Sequence, residues 1–183
     1  MKHINRVVEW KDIVRAKVPV NGINNGIYYG QTANGKRDGF GIFYCTKYDD
    51  TPYLFECEWK QDFPINEARY ICVRENRWQE YQGQINWSYL INGKGVWKTE
   101  SLHEYIGDFR DGKSHGKGKY IYPNGKTYDG EWENDKKHGY GKMTLADGSV
   151  QEGIWKENNF LEERKSMVKP AAIPQKYHSF RCK

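Results

Sequence analysis

From Tyr105 onward the chain repeats itself. Tyr105-Ile-Gly107-Asp-Phe109, then Gly112, His115-Gly116-Lys-Gly118 and Tyr120, returns 23 residues later as Tyr128, Gly130, Trp132, Asp135, His138-Gly139-Tyr-Gly141 and Met143, with Gly125 and Gly148 in register. No other property of the sequence limits the fold as much, because so short a unit cannot enclose a core alone and must stack on its neighbours. A partial copy begins with Gly153, Trp155 and Asn158 and then stops. Upstream, Tyr81-Gln-Gly83 leads to Gly93-Lys-Gly95 and Trp97, with one extra residue before its turn. Tyr28-Tyr-Gly30, Gly35, Asp38-Gly39-Phe-Gly41 and Phe43 fits without a gap, except that Thr32 stands where an aromatic is expected. Between these lies a degenerate copy, Phe55-Glu-Cys57-Glu-Trp59, Asp62, Asn66, Ala68 and Tyr70, which has lost its glycines. Successive copies start 27, 26, 24, 23 and 23 residues apart, so the N-terminal ones carry longer loops.

Each copy reads as one β-hairpin. Tyr105, Gly107 and Phe109 alternate with other residues and face one side of an extended strand. A glycine on that side lets a ring from the neighbouring strand lie across it. Asp111-Gly112-Lys-Ser-His-Gly116 supplies residues that take positive φ in a tight turn. Gly118, Tyr120 and Tyr122 form the second alternating strand, and Asn124-Gly125 returns the chain. A lone hairpin is marginal in water, so about five and a half of them must join. About eleven strands at roughly 4.8 Å spacing give a twisted single-layer ribbon on the order of 50 Å long.

Such a ribbon has two open edges, which need covers. Val7, Trp10, Val14 and Val18 have the spacing of an apolar stripe on a short helix ending before Pro19, and capping is the role expected of it. A second short helix is expected over Leu161 to Val168, followed by an extended tail set by Pro170 and Pro174. The chain thus divides into an N-terminal flank (1–20), a repeat array (21–160) and a basic tail (161–183). Charge follows this division: residues 1–20 hold five Lys/Arg and two acids, residues 161–183 six and two, and the body 18 and 20. That is not the continuous basic face nucleic-acid binding needs, although the ends suit an acidic partner. Cys45, Cys57, Cys72 and Cys182 show no C-x-x-C spacing, and the longest apolar runs span only a few residues. A reduced intracellular protein with no transmembrane helix is the expectation.

Residues 105 to 118 read Y-x-G-x-F-x-x-G-x-x-H-G-x-G, which resembles the membrane occupation and recognition nexus (MORN) repeat. The resemblance covers roughly residues 28 to 160, with two nearly ideal copies. It implies an all-β fold of tandem MORN hairpins: an elongated single-layer antiparallel sheet with a grooved face, used as a rigid platform. It also implies a cytoplasmic, cytoskeleton-associated setting. Ciliary or flagellar axoneme components such as radial-spoke head proteins are the favoured analogy, and binding of acidic lipid headgroups has also been proposed for the family.

Other motifs weigh less. Gly107 to Ser114 fits G-x-x-x-x-G-K-S, but a phosphate-binding loop needs a following helix, and here another turn and strand follow. The corresponding Gly130 to Lys137 shows that the match falls out of the repeat. His115 and His138 occupy equivalent turns two strands apart, too few and too distant for a metal set of three or four ligands. Asn86-Trp87-Ser88 matches a glycosylation sequon by tripeptide only. Glu131 and Glu133 fall on the solvated strand face, and no catalytic set has recognisable context. No enzyme, cofactor or metal is therefore expected. Two roles are open to Tyr28, Phe55, Trp59, Tyr81, Tyr105, Phe109, Tyr128, Trp132 and Trp155: they form the core of a one-layer sheet, or they line a groove for a partner helix or extended peptide. The leading expectation is a protein-binding scaffold in a cytoskeletal assembly; the alternative is a peripheral module on anionic phospholipids.

Overall fold

A computed structural model of the protein describes residues 6–13, 23–47 and 49–163. Among these, thirteen strands form one open antiparallel sheet in which each strand pairs with its sequence neighbours. They are β1 (Val7–Ile13), β2 (Ile23–Ala33), β3 (Lys36–Lys47), β4 (Pro52–Lys60), β5 (Phe63–Arg74), β6 (Arg77–Ile85), β7 (Ile91–Thr99), β8 (Glu104–Arg110), β9 (Lys113–Ile121), β10 (Thr127–Glu133), β11 (Lys136–Thr144), β12 (Val150–Lys156) and β13 (Asn159–Glu163). The expected all-β, single-layer hairpin array is what the chain forms.

Its core is two rows running across the strands on the inner face. One is a row of small residues in register from strand to strand: Gly30, Gly41, Cys57, Ala68, Gly83, Gly95, Gly107, Gly118, Gly130, Gly141 and Gly153. The other, two residues along each strand, is aromatic from Tyr28 through Phe43, Phe55, Tyr70, Tyr81, Trp97, Tyr105 and Tyr120 to Tyr128. The first tyrosine of a repeat leans over the small-residue row. A Cβ on Gly118 would stand 2.4 Å from Cζ of Tyr105, and one on Gly141 2.5 Å from Cζ of Tyr128. From the other side of the row come Trp59, Trp132 and Trp155, whose indole N–H groups donate to the carbonyls of Gly41 (3.1 Å), Gly118 (2.9 Å) and Gly141 (3.1 Å). Rings meet edge to face along the sheet: Tyr81–Phe109 at 5.4 Å, Phe109–Tyr105 at 4.9 Å, Tyr105–Trp132 at 5.3 Å, Trp132–Tyr128 at 5.2 Å and Tyr128–Trp155 at 5.3 Å. Each such pair contributes about 0.5–1.5 kcal/mol beyond its buried area. In the degenerate copy Cys57 and Ala68 keep the row small, while Phe55 packs on Tyr70 at 5.4 Å.

Each hairpin also carries a β-bulge, where the ladder skips after Gly30, Cys57, Gly83, Gly107 or Gly130. A bulge breaks the ladder locally, and the tyrosine hydroxyl donates to the carbonyl of the residue that follows the small-row glycine: Tyr28 to Gln31 at 2.8 Å, Tyr81 to Gln84 at 2.7 Å, Tyr105 to Asp108 at 2.9 Å and Tyr128 to Glu131 at 3.0 Å. The side chain of that residue accepts an amide of the opposite strand, as Gln31 does from Phe40 (2.9 Å) and Asp108 from Lys117 (3.2 Å). It lies across the first glycine of the G-x-G pair, so the two glycines make room for different neighbours.

The turns join repeat to repeat. Asp62, Asp135 and Asn158 take positive φ, as a two-residue hairpin turn requires. Their side chains accept the amides of Arg37 (2.9 Å), Ser114 (2.7 Å) and Lys137 (2.9 Å) of the preceding hairpin, and their own amides donate back to the same residues, each at 3.0 Å.

Two expectations are corrected. Val7–Ile13 is not helical: it is β1, paired with β2 from Thr32 to Gly26. The backbone groups along the free side of β2 need partners, and a strand satisfies them where a helix does not. Trp10 stacks on Tyr29 at 4.3 Å, and buried Asp38 binds Arg6 (3.0 Å) and Lys60 (3.2 Å), fastening the segment down. Val14 and Val18 lie outside the described residues. At the other end Leu161–Glu163 belong to β13, because Glu157-Asn158 repeats the turn of Asn134-Asp135 and completes the last hairpin. The rest of that expected helix lies outside the described residues. The sheet therefore continues into both flanks.

The row of small residues gives a direct test of the packing. Gly118→Ala, at a position without positive φ, should cost about 1–3 kcal/mol by overpacking against Tyr105. Urea unfolding measures this. A loss below 0.5 kcal/mol would mean that the ring does not need the glycine.

Candidate functional site

The inner face forms a groove of about 590 Å³ across the middle of the sheet, from β3 to β10. Its floor is aromatic: Tyr53, Tyr70, Trp97, Tyr105, Phe109, Tyr120 and Trp132 contribute, with Tyr89 at one side. At one rim stand Lys47 and Arg74, at the ends of β3 and β5; at the other lie the turn residues Asp111, Gly112 and Asp135.

Of the nine rings singled out from sequence, Tyr105, Phe109 and Trp132 line this groove. All nine are less than a tenth exposed, and Tyr28, Trp59, Tyr81 and Tyr128 are 0% exposed. They hold the sheet together, and the surface they leave accessible is small. The more accessible rings are the second-strand aromatics Tyr70, Trp97, Tyr120 and Tyr122, each half-buried. Their signal was present in the sequence as the alternating position after each G-x-G pair.

The N-terminal part of the face is covered by the chain itself. Arg37, 6% exposed, lays its guanidinium over Trp59 (4.0 Å) and Phe43 (4.9 Å) and donates to the carbonyl of Asp62 (2.6 Å) and the hydroxyl of Tyr89 (2.9 Å). Tyr89 comes from the longer turn of the third copy, which was visible as its extra residue. It packs on Phe55 (5.5 Å), Trp59 (6.0 Å) and Phe43 (6.2 Å), so Arg37 and Tyr89 roof these three rings, and the groove stays open over Tyr53 and Tyr70 and the repeats that follow.

The remaining motifs fall into structural places. Gly107 to Ser114 forms strand, turn and strand, and the Ser114 amide and hydroxyl are both bonded to Asp135. Asn86 accepts the amides of Ser88 (2.9 Å) and Leu90 (3.1 Å), which shapes the loop that presents Tyr89. His138 lies 3.3 Å from Glu133, on a different strand from His115. Among the described residues no three His, Cys, Asp or Glu side chains gather as a metal set, and no helix is long and apolar enough to cross a membrane.

The MORN repeat family model matches residues 28–49, 105–127 and 128–150. These are the first, fourth and fifth copies, those with intact glycines and short turns; the second has Cys57 and Ala68 in the small-residue row, and the third carries the Tyr89 loop. No curated protein matches the chain.

Burial fixes the titration of the inner face. It pushes the Cys45 and Cys57 thiols up to about 12, and the Tyr28 and Tyr53 hydroxyls up to about 12 as well. Each group is neutral when folded and ionises more readily when unfolded. Their stabilising contribution is complete below the ordinary thiol and phenol values of about 8.5 and 10. It is lost as pH rises from there through about 12. Stability in urea should fall steeply above about pH 9, and peptide mapping after iodoacetamide at pH 8 should find Cys45 and Cys57 unlabelled until denaturant is added. Labelling of the native protein at either thiol would contradict the buried inner face.

Proposed function

We propose, from the premise that this chain belongs to the MORN-repeat family, that it is a non-catalytic scaffold whose inner groove holds a protein partner. The observation that carries this reading is the half-buried aromatic floor of a single-layer sheet: Tyr70, Trp97 and Tyr120 line a groove of about 590 Å³ with no second layer of described residues over it. An apolar floor with a few polar groups at the rim is what a peptide or helix needs for recognition. MORN repeats in general mediate protein or membrane-lipid interactions, and the family is a non-catalytic one. The groove favours the protein reading here, because its apolar surface is recessed between two rims and does not project from an exposed face.

The setting is a cytoskeletal assembly in the cytoplasm, with a ciliary or flagellar axoneme as the favoured case. The resemblance to radial-spoke-like repeat proteins supports this. A sheet locked from strand to strand by rings, bulges and turns supplies the rigidity of a spacer between components.

Affinity purification of the tagged chain from its native cell tests the reading, with Trp97→Ala and Tyr120→Ala as groove variants and Ile106→Ser on the outer face as control. A stoichiometric protein partner should be retained by the wild type and by the control and reduced at least tenfold with the groove variants, all four showing the same near-ultraviolet circular dichroism. Equal recovery with the groove variants would remove the groove from the function. Retention in the detergent-extracted cytoskeletal fraction tests the setting separately.

A further inference from the structure

Charge is divided between the two faces of the sheet. On β2 to β12 the strand register turns Glu56, Glu58, Glu80, Asp108, Asp129 and Glu152 outward, opposite the buried rings. The charged side chains that lie against inner-face rings are Arg37, Lys47, Arg74, Lys126 and Lys137, all basic, while the acidic Asp111 and Asp135 stand at the turn-side rim. The near-neutral balance of the repeat body thus conceals a cationic, aromatic inner face.

Within the groove this charge is focused at one rim. The Lys47 ammonium lies over the Tyr53 ring at 4.4 Å, and Arg74 donates to the Tyr53 hydroxyl at 3.2 Å, so both cations stand around one phenol. Burial, and after it the charge of Arg74, holds the Lys47 pKa below its ordinary value, the mark of two cations crowded in partly dry surroundings. The nearby carboxylate of Asp49 accepts the Thr51 amide at 3.1 Å. At the opposite rim the carboxylates are committed to the fold: Asp135 holds Ser114 (2.7 and 3.1 Å), and Asp111 accepts from Asn92 (3.3 Å). An anion entering beside Lys47 and Arg74 relieves their mutual repulsion, and apolar side chains behind it meet the aromatic floor.

We infer that the groove selects an acidic, apolar segment of a partner protein, seated with its carboxylates between Lys47 and Arg74 and its apolar side chains over Tyr70, Trp97 and Tyr120. This rests on the protein-binding reading of the same groove and adds the chemistry of the occupant. The chain's own residues 164–183 carry six Lys/Arg and no Asp or Glu, so they lack the carboxylates this rim takes, and the segment belongs to another chain. A membrane surface fits less well, because Lys47 is half-buried inside the groove and a flat array of headgroups does not reach it as a single strand or helix does.

Selection of a random 12-residue peptide library displayed on phage, with the full folded chain as bait, tests this. The expected result is enrichment of peptides that combine Asp or Glu with aromatic or aliphatic residues. Their affinity should fall at least tenfold in the Lys47→Glu/Arg74→Glu variant and weaken as salt rises. Lys47→Gln/Arg74→Gln should lose less, and keeps the test valid where the double reversal fails to fold. Enriched peptides that are basic or uncharged, or affinity unchanged by the charge reversal, would overturn the acidic preference while leaving a peptide-binding groove. No enrichment at all, or binding that Trp97→Ala does not alter, would overturn the groove reading and the preference with it. Phosphatidylserine vesicles that bind the wild type and not the charge-reversed variant, with no peptide enriched, would assign the cations to a membrane.

Discussion

A tyrosine ring laid across the glycine of the next strand is the contact on which this architecture depends. A single-layer sheet has no second layer to bury its apolar face, so the rings must pack on the backbone of their own sheet. They reach it only where side chains are missing. The line of glycines, with Cys57 and Ala68 completing it, is a channel cut across the strands; the first tyrosines Tyr28, Tyr81, Tyr105 and Tyr128 close over it from one side, and Trp59, Trp132 and Trp155 from the other. The bulge serves the same contact. It frees a carbonyl within reach of the tyrosine hydroxyl, so a polar atom that burial would otherwise strand is satisfied three residues along the same chain.

Stacking by this means is directional, and the direction explains the irregular first unit. Where a copy carries a tryptophan, it rests on the glycine of the copy before it: Trp59 on Gly41, Trp132 on Gly118, Trp155 on Gly141. No copy precedes the first. At Thr32 a small side chain donates to Glu9 (2.7 Å) of the edge strand instead, where an indole would find no glycine beneath it. Thr32 thus suits its place beside β1, while the third copy fills the same position with the buried aliphatic Ile85.

Much of this was legible because glycine and positive φ leave plain traces. Asp111-Gly112 and the G-x-G pairs mark turn and channel without ambiguity, and alternation assigns the strand faces. What the sequence concealed lies where local pattern and long-range demand diverge. Val7, Trp10, Val14 and Val18 carry the spacing of a helix, yet the open side of β2 recruits Val7–Ile13 as a strand, since pairing a whole row of backbone groups outweighs a weak amphipathic preference. The reciprocal bonds of Asp62, Asp135 and Asn158 to the preceding hairpin were equally hidden, because a turn residue's spare hydrogen-bonding capacity shows only once the neighbouring turn lies beside it. In the sequence alone the nine rings of the repeat fit two roles, core and groove. Their depth of burial follows from their rank in the pattern, since the position that leans over the channel is the one the channel covers.

The same geometry separates what must stay constant from what is free to vary. Rings over the channel carry the fold, and any change there is felt as strain or cavity. The second-strand position, one row away from the backbone contact, meets only its aromatic neighbours and the open groove. Phe43, Tyr70, Trp97, Tyr120 and Met143 occupy that row in successive units, the first and last buried and the middle three half-buried at the groove, so size and chemistry change there within one strand register. Charge obeys the same division in the later repeats: from β10 to β12 the outer face supplies the alternating Lys and Glu or Asp of a solvated sheet, as in Asp129 opposite Lys142 and Lys142 opposite Glu152. The inner face is thereby released from the needs of solubility. A repeat built this way keeps one face for holding itself together and presenting a groove, and adjusts the groove through the half-buried second-strand residues Tyr70, Trp97 and Tyr120.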